Sequence, residues 1–124
     1  IPATDRNHAS TISVVTGHEA PNNAESAVGW NALAATGGTI VVLMGVTGLP
    51  EDTDLLIVAG MDPETPVAVV ERATWPDQQV VTGSLVTIAD AAEETGIEPP
   101  AVTVIGDVAD TRTATLEFLA TNYE

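Results

Sequence analysis

Apolar residues along this chain recur with two alternating periods, and the switches between them mark out its elements. Residues 11–15 alternate, with Ile12 and Val14 on one side, which predicts a half-buried strand. Residues 26–35 carry Trp30, Leu33 and Ala34 at helical spacing and stop at Gly37-Gly38, a left-handed helix terminus. Residues 39–44 are continuously apolar and β-branched, as expected of a central strand covered on both faces. Pro50, Glu51 and Asp52 open a second helix, with proline in the first turn and acids against the N-terminal dipole. Leu55, Leu56, Val58 and Ala59 are its expected buried face and Gly60 its end.

Residues 67–71 read as another buried strand. Residues 80–82 form a short strand paired antiparallel with it, across a loop that holds Trp75-Pro76-Asp77. Ser84 is expected to cap a third helix with Leu85, Ile88, Ala89 and Ala92 on one face before Gly96. Residues 101–105 make a last core strand, and residues 113–124 a tail in which Leu116, Phe118 and Leu119 suggest a short docked helix. The order β-α-β-α-β-β-α-β defines an α/β fold, a mixed β-sheet flanked by helices.

Composition narrows the classes. No apolar run reaches the roughly 18–20 residues that span a bilayer, and the longest, residues 40–46, is strand-sized. Ile1 opens a polar stretch without a basic segment, which argues against a signal peptide; a first residue other than Met suggests a piece cut from a longer chain. Without cysteine there are no disulfides, thiolate metal sites or thiol nucleophile, so a cytoplasmic protein is the default expectation. The two histidines have no carboxylate at metalloprotease spacing, and no metal is expected.

Charge changes the picture most. Eighteen acids face three arginines (Arg6, Arg72, Arg112) and no lysine, a net charge of −15. Such a surface repels nucleic acid and anionic membranes, and neither is an expected partner. The acids are dispersed between apolar segments, a pattern that reads as adaptation to molar salt, where the Debye length falls to about 3 Å. An acidic surface for a basic partner is the alternative.

Local motifs carry little chemistry by themselves. Gly37-Gly38 precedes a strand and ends a helix, the reverse of a phosphate loop. Ser84 in Gly83-Ser84-Leu85 lacks the second glycine of a nucleophile elbow. Glu51/Asp52 and Glu93/Glu94 read as solvated helix faces.

Longer stretches say more. Val42-Leu43-Met44-Gly45-Val46 closes a strand; Pro66-Val67-Ala68-Val69-Val70-Glu71-Arg72-Ala73-Thr74 follows, with Gln78 and Gly83-Ser84-Leu85 beyond. Together with Val15-Thr16-Gly17-His18-Glu19 and Trp30-Asn31-Ala32-Leu33-Ala34, they make residues 1–112 resemble the C-terminal domain of the tetrapyrrole methylase family. The resemblance implies a C-terminal domain of that fold, S-adenosylmethionine as methyl donor and a porphyrin-like substrate. It implies Met44 and Gly45 against the cofactor, Ala73 where a small residue lets the adenosine pass the main chain, and Pro100-Ala101 beside the adenine. Arg6, in Ile1-Pro2-Ala3-Thr4-Asp5-Arg6, resembles a family segment with histidine in place of Asp5, and a guanidinium there suits a polycarboxylate substrate. His18 has no assigned role.

The same motifs favour the branch that methylates uroporphyrinogen III twice to give precorrin-2, whereas Thr74-Trp75-Pro76-Asp77 is similar to the precorrin-4 branch. A non-catalytic acidic binding module is the reading from another class. Family members are typically homodimers. Their N-terminal half carries a glycine-rich loop and a Gly-Gly-Asp-Pro motif absent from this sequence, so the chain alone is expected to bind cofactor weakly and not to turn over.

Overall fold

The computed structural model describes residues 1–17, 29–112 and 119–120. They run β1 (Ile12–Thr16), α1 (Trp30–Thr36), β2 (Thr39–Leu43), α2 (Leu49–Val58), β3 (Pro66–Glu71), β4 (Gln79–Ser84), α3 (Ile88–Thr95) and β5 (Ala101–Ile105), followed by a 3-10 turn at Asp107–Asp110. The element order is the one the periodicity predicts. His18 and all of the tail except residues 119–120 lie outside the described residues.

One five-stranded sheet has the order β1-β2-β5-β3-β4. β1 and β2 are parallel, and β5 lies between β2 and β3 antiparallel to both. β1, β2 and β3 therefore run the same way, and their carboxyl ends meet at one edge of the sheet. β4 returns along β3 through a hairpin, longer than expected by a residue or two at each end.

The period of two decides which side chains meet the helices. Ile40 and Val42 pair with Ile105 and Thr103, and those with Val67 and Val69, so all six project from one face and all are buried. Against them pack Trp30, Leu49, Leu56, Ile88 and Ala92 from the three helices, forming one core. Deleting a fully buried side chain such as Leu56 costs about 2–5 kcal/mol.

Three local expectations are corrected. β1 alternates, but the side carrying Ile12 and Val14 is the open one, and it is Val15 that packs toward the core. Likewise β2 is not covered on both faces throughout, since Leu43 at its end is exposed. Ser84 caps no helix: it ends β4, and its N–H donates to Thr87 Oγ1 at 2.9 Å. The reason is Leu85, buried in the core and tied by its N–H to the Thr65 carbonyl, which requires a turn before α3 can start.

The fourth correction concerns α2. Its buried positions are Leu49, Asp52, Thr53 and Leu56, the i, i+3, i+4, i+7 set, while Val58 is 85% exposed. Asp52, expected on a solvated face beside Glu51, is 1% exposed, and neither of its oxygens has a hydrogen-bond partner among the described residues. Burial, with Glu51 adding to it, pushes its carboxyl up to about 7.

Candidate functional site

The edge where β1, β2 and β3 end holds an open groove of about 710 Å³. Such crevices beyond strand carboxyl ends are where open α/β sheets bind ligands. Three segments far apart in the chain build it: Leu43 and Met44 leaving β2, Arg72, Ala73 and Trp75 in the turn after β3, and Pro99, Pro100 and Ala101 entering β5. Val70 and Val102 form the floor, with Val46 and Thr47 to one side.

The backbone is held in uncommon geometry around this groove. Met44, Arg72 and Thr74 have φ of 56°, 49° and 73°, the positive-φ residues other than glycine among those described. Positions like these cost about 1–3 kcal/mol each and cluster where a site is pre-shaped. Local bonds fix them. Arg72 N–H donates to the Pro100 carbonyl and Trp75 N–H to the Arg72 carbonyl, each at 3.0 Å. Thr74 N–H donates to Gln78 Oε1 at 2.6 Å, which gives Gln78 a structural task in the turn.

Among the described residues, the wall is apolar apart from Thr47 and a single charged side chain, Arg72. Its guanidinium lies over the Trp75 ring, 5.3 Å from the centroid, with Nε 3.6 Å from Asp77 Oδ2. Among the described residues, no side chain capable of exchanging a proton at neutral pH lines the groove. Its described wall is suited to bind, orient and desolvate a flat ligand.

Met44, Ala73, Pro100 and Ala101 all line this one groove. Met44 is no core methionine, being 63% exposed. Gly45 is buried behind the wall, and its small size has a packing reason: a Cβ there would stand 2.6 Å from Val42 Cγ1. Arg6 is at the other end of the sheet, in the exposed turn that precedes β1 and beside Gly37-Gly38. The five residues of β1 put it about 17 Å from the groove edge along the strand direction. Arg72 and Trp75 belong to the site and were missed as site residues. The signal available was a cation in a chain with only three, three residues from an aromatic in a turn. Among the described residues no His, Asp and Glu cluster has the arrangement of a metal site.

Known proteins share this sequence pattern and fold. Residues 1–89 match the model of the tetrapyrrole (corrin/porphyrin) methylases, and the chain belongs to that family. It is 49% identical over 108 residues to an S-adenosyl-L-methionine-dependent uroporphyrinogen III methyltransferase of Methanosarcina barkeri, an alignment covering 87% of this chain and 42% of that protein. A solved uroporphyrin III C-methyltransferase from Thermus thermophilus superposes with a TM-score of 0.73 at 29% identity, over 89% of this chain and 46% of that one. A solved cobalt precorrin-4 methyltransferase superposes with a TM-score of 0.74 at 28% identity, over 85% and 44%. The chain thus spans less than half the length of these relatives. No helix among the described residues is long and apolar enough to cross a membrane.

Proposed function

We propose that this chain is the C-terminal half of an S-adenosylmethionine-dependent methyltransferase that methylates uroporphyrinogen III at two ring carbons, giving precorrin-2. The observation that carries the reading is the convergence of Met44, Ala73, Pro100 and Ala101 on one apolar groove at the strand ends. The residues fit an adenosine. At about 710 Å³ the groove is within the usual range for small-molecule sites, and its wall is proline, alanine and valine. Ala73 is exposed and adds only a methyl to the main chain, so a flat base can lie close to it.

When bound, S-adenosylmethionine supplies a sulfonium methyl for attack by an electron-rich pyrrole carbon. What this chain contributes is positioning. Pro100 and Ala101 line the groove together with Met44, whose side chain is exposed there. Together they would shield the bound donor from water and hold it in one pose, and positioning of that kind is a source of rate. The other half of the cleft, with the glycine-rich loop of the family, completes the grip.

A second reading is a precorrin-4 type methylase. It is favoured by the Trp75-Pro76-Asp77 turn and by the fold match to the cobalt precorrin-4 enzyme, which equals that to the uroporphyrin enzyme. The test is to incubate the full-length polypeptide with uroporphyrinogen III and S-adenosylmethionine in molar KCl and weigh the product. A gain of two methyl groups is the expected outcome, with no turnover by residues 1–124 alone. An unchanged mass from a folded, cofactor-binding enzyme moves the assignment to another tetrapyrrole. Failure to bind cofactor as well favours the acidic binding module.

A further inference from the structure

Arg72 is the one charged side chain on the groove wall among the described residues, in a chain of net charge −15. Its position is built rather than incidental. The backbone accepts a positive φ of 49°, unfavourable for arginine, and is locked by bonds to Pro100 and Trp75. The guanidinium lies over the Trp75 indole, within cation–π range of the ring. Trp75 itself is 54% exposed, a large ring left in water at the rim of the groove.

The partners of the guanidinium are weak. Its Nε is 3.6 Å from Asp77 Oδ2 and 4.0 Å from Glu71 Oε1, both longer than a charge-assisted hydrogen bond of about 2.7–2.9 Å. Asp77 is exposed, and an exposed pair of this length is readily exchanged for a better one. A planar fork that is oriented, partly desolvated and loosely neutralised is suited to take a carboxylate from a ligand.

We propose that Arg72, stacked on Trp75, is the carboxylate anchor of the groove and exchanges Asp77 for a carboxylate of the bound ligand. The proposal rests on the groove being the methyl-donor and tetrapyrrole site. Two sources offer the same chemistry there, the amino-acid end of the donor and the acidic side chains of the tetrapyrrole. Arg6, at the far end of the sheet, cannot serve this groove within the same domain.

Calorimetry on the full-length polypeptide separates these sources with three probes. S-adenosylhomocysteine carries the donor's carboxylate, 5′-methylthioadenosine is the same adenosine without it, and uroporphyrin III is a stable polycarboxylate ring. Arg72→Gln is expected to weaken at least one carboxylate ligand by about tenfold while methylthioadenosine binds as before. Arg72→Lys recovers only part of the loss, because a point charge lacks the fork. Asp77→Asn, which removes the nearer carboxylate charge and leaves Glu71 at 4.0 Å, tightens the same ligand about threefold. Loss confined to S-adenosylhomocysteine assigns the anchor to the donor, and loss confined to uroporphyrin III assigns it to the substrate. Unchanged affinities in Arg72→Gln overturn the anchor and leave the groove reading in place. An equal loss for methylthioadenosine also overturns it, since that reports a damaged wall. If the unsubstituted protein binds no methylthioadenosine, the groove reading fails and the anchor with it.

Discussion

The two ends of the sheet solve the same problem, reversing the chain, by different means. At the far end, where β2 and β3 begin and β5 stops, the positive φ values belong to Gly37, Gly60 and Gly106, residues that adopt them without steric cost. At the groove end Gly96 does the same, but Met44, Arg72 and Thr74 also take positive φ, at a steric cost. Each end has a close glycine contact, Gly38 beside Thr11 at the far end and Gly45 beside Val42 and Gly17 at the groove end. The groove end leaves Met44 and Trp75 in water and holds the buried Asp52 in the first turn of α2. One end is built for stability, and the other holds side chains in place at a cost in stability. That asymmetry locates function without reference to any relative.

The largest expected effect tests that cost directly. The Asp52 carboxyl is pushed up to about 7 in the fold, from an ordinary value of 3.8. The folded state keeps this proton while the unfolded chain loses it. The resulting contribution is fully present below pH 3.8, is lost as pH rises toward 7, and is absent above it. At a little over 1.3 kcal/mol per unit the loss amounts to up to about 4 kcal/mol. Asp52→Asn cannot ionise, so its stability relative to the unsubstituted chain should climb by that order between pH 4 and pH 8. Denaturant titrations at both pH values, in molar KCl, measure it. A difference that stays flat with pH would show that Asp52 adds nothing to the cost of this end.

Next in size is Gly38→Ala at the far end. The new Cβ would stand 2.6 Å from the Thr11 carbonyl oxygen and meet the Thr11 hydroxyl, and both backbones are pinned by the Thr39 N–H bond to Thr11 at 2.9 Å. Neither partner can give way, so a loss of about 3 kcal/mol is expected from overpacking. Met44→Ala at the groove end should change stability by no more than about 0.5 kcal/mol, because its side chain is mostly in water. Equal losses in a chemical denaturation series would erase the distinction between the ends.

Much of this contrast was legible in the sequence, and the illegible part has a physical pattern. Element order followed from apolar periodicity and from Gly37 and Gly96, both of which end helices in the left-handed conformation as expected. Met44, Ala73, Pro100 and Ala101 came from the family resemblance, and the strand directions bring them together. What escaped was whatever depends on which face a segment turns inward. Asp52 and Val58 exchange their expected environments because α2 packs through Leu49 and Leu56, and polarity alone gives no phase for a helix so weakly amphipathic. Ile12 and Val14 escaped for the same reason in β1, where two apolar faces look alike. The Arg72–Trp75 stack needs a left-handed turn that no glycine announces.

The smallest effect is the sharpest, because it sets the two turning strategies against each other with opposite signs. Thr74 is β-branched at φ 73°, a conformation strongly disfavoured for such a residue. Thr74→Gly keeps the N–H that bonds Gln78 and removes the strain, less the extra backbone entropy of glycine, for an expected gain of about 1 kcal/mol. Gly37→Ala does the reverse. Its φ is 75° and a Cβ there meets nothing within 4 Å, so the change isolates the backbone penalty, an expected loss of about 1 kcal/mol. Midpoints of urea unfolding should therefore move in opposite directions by similar amounts. Two shifts of the same sign would mean that Thr74 is strained in name only, and that the groove end turns the chain as cheaply as the end built on glycine.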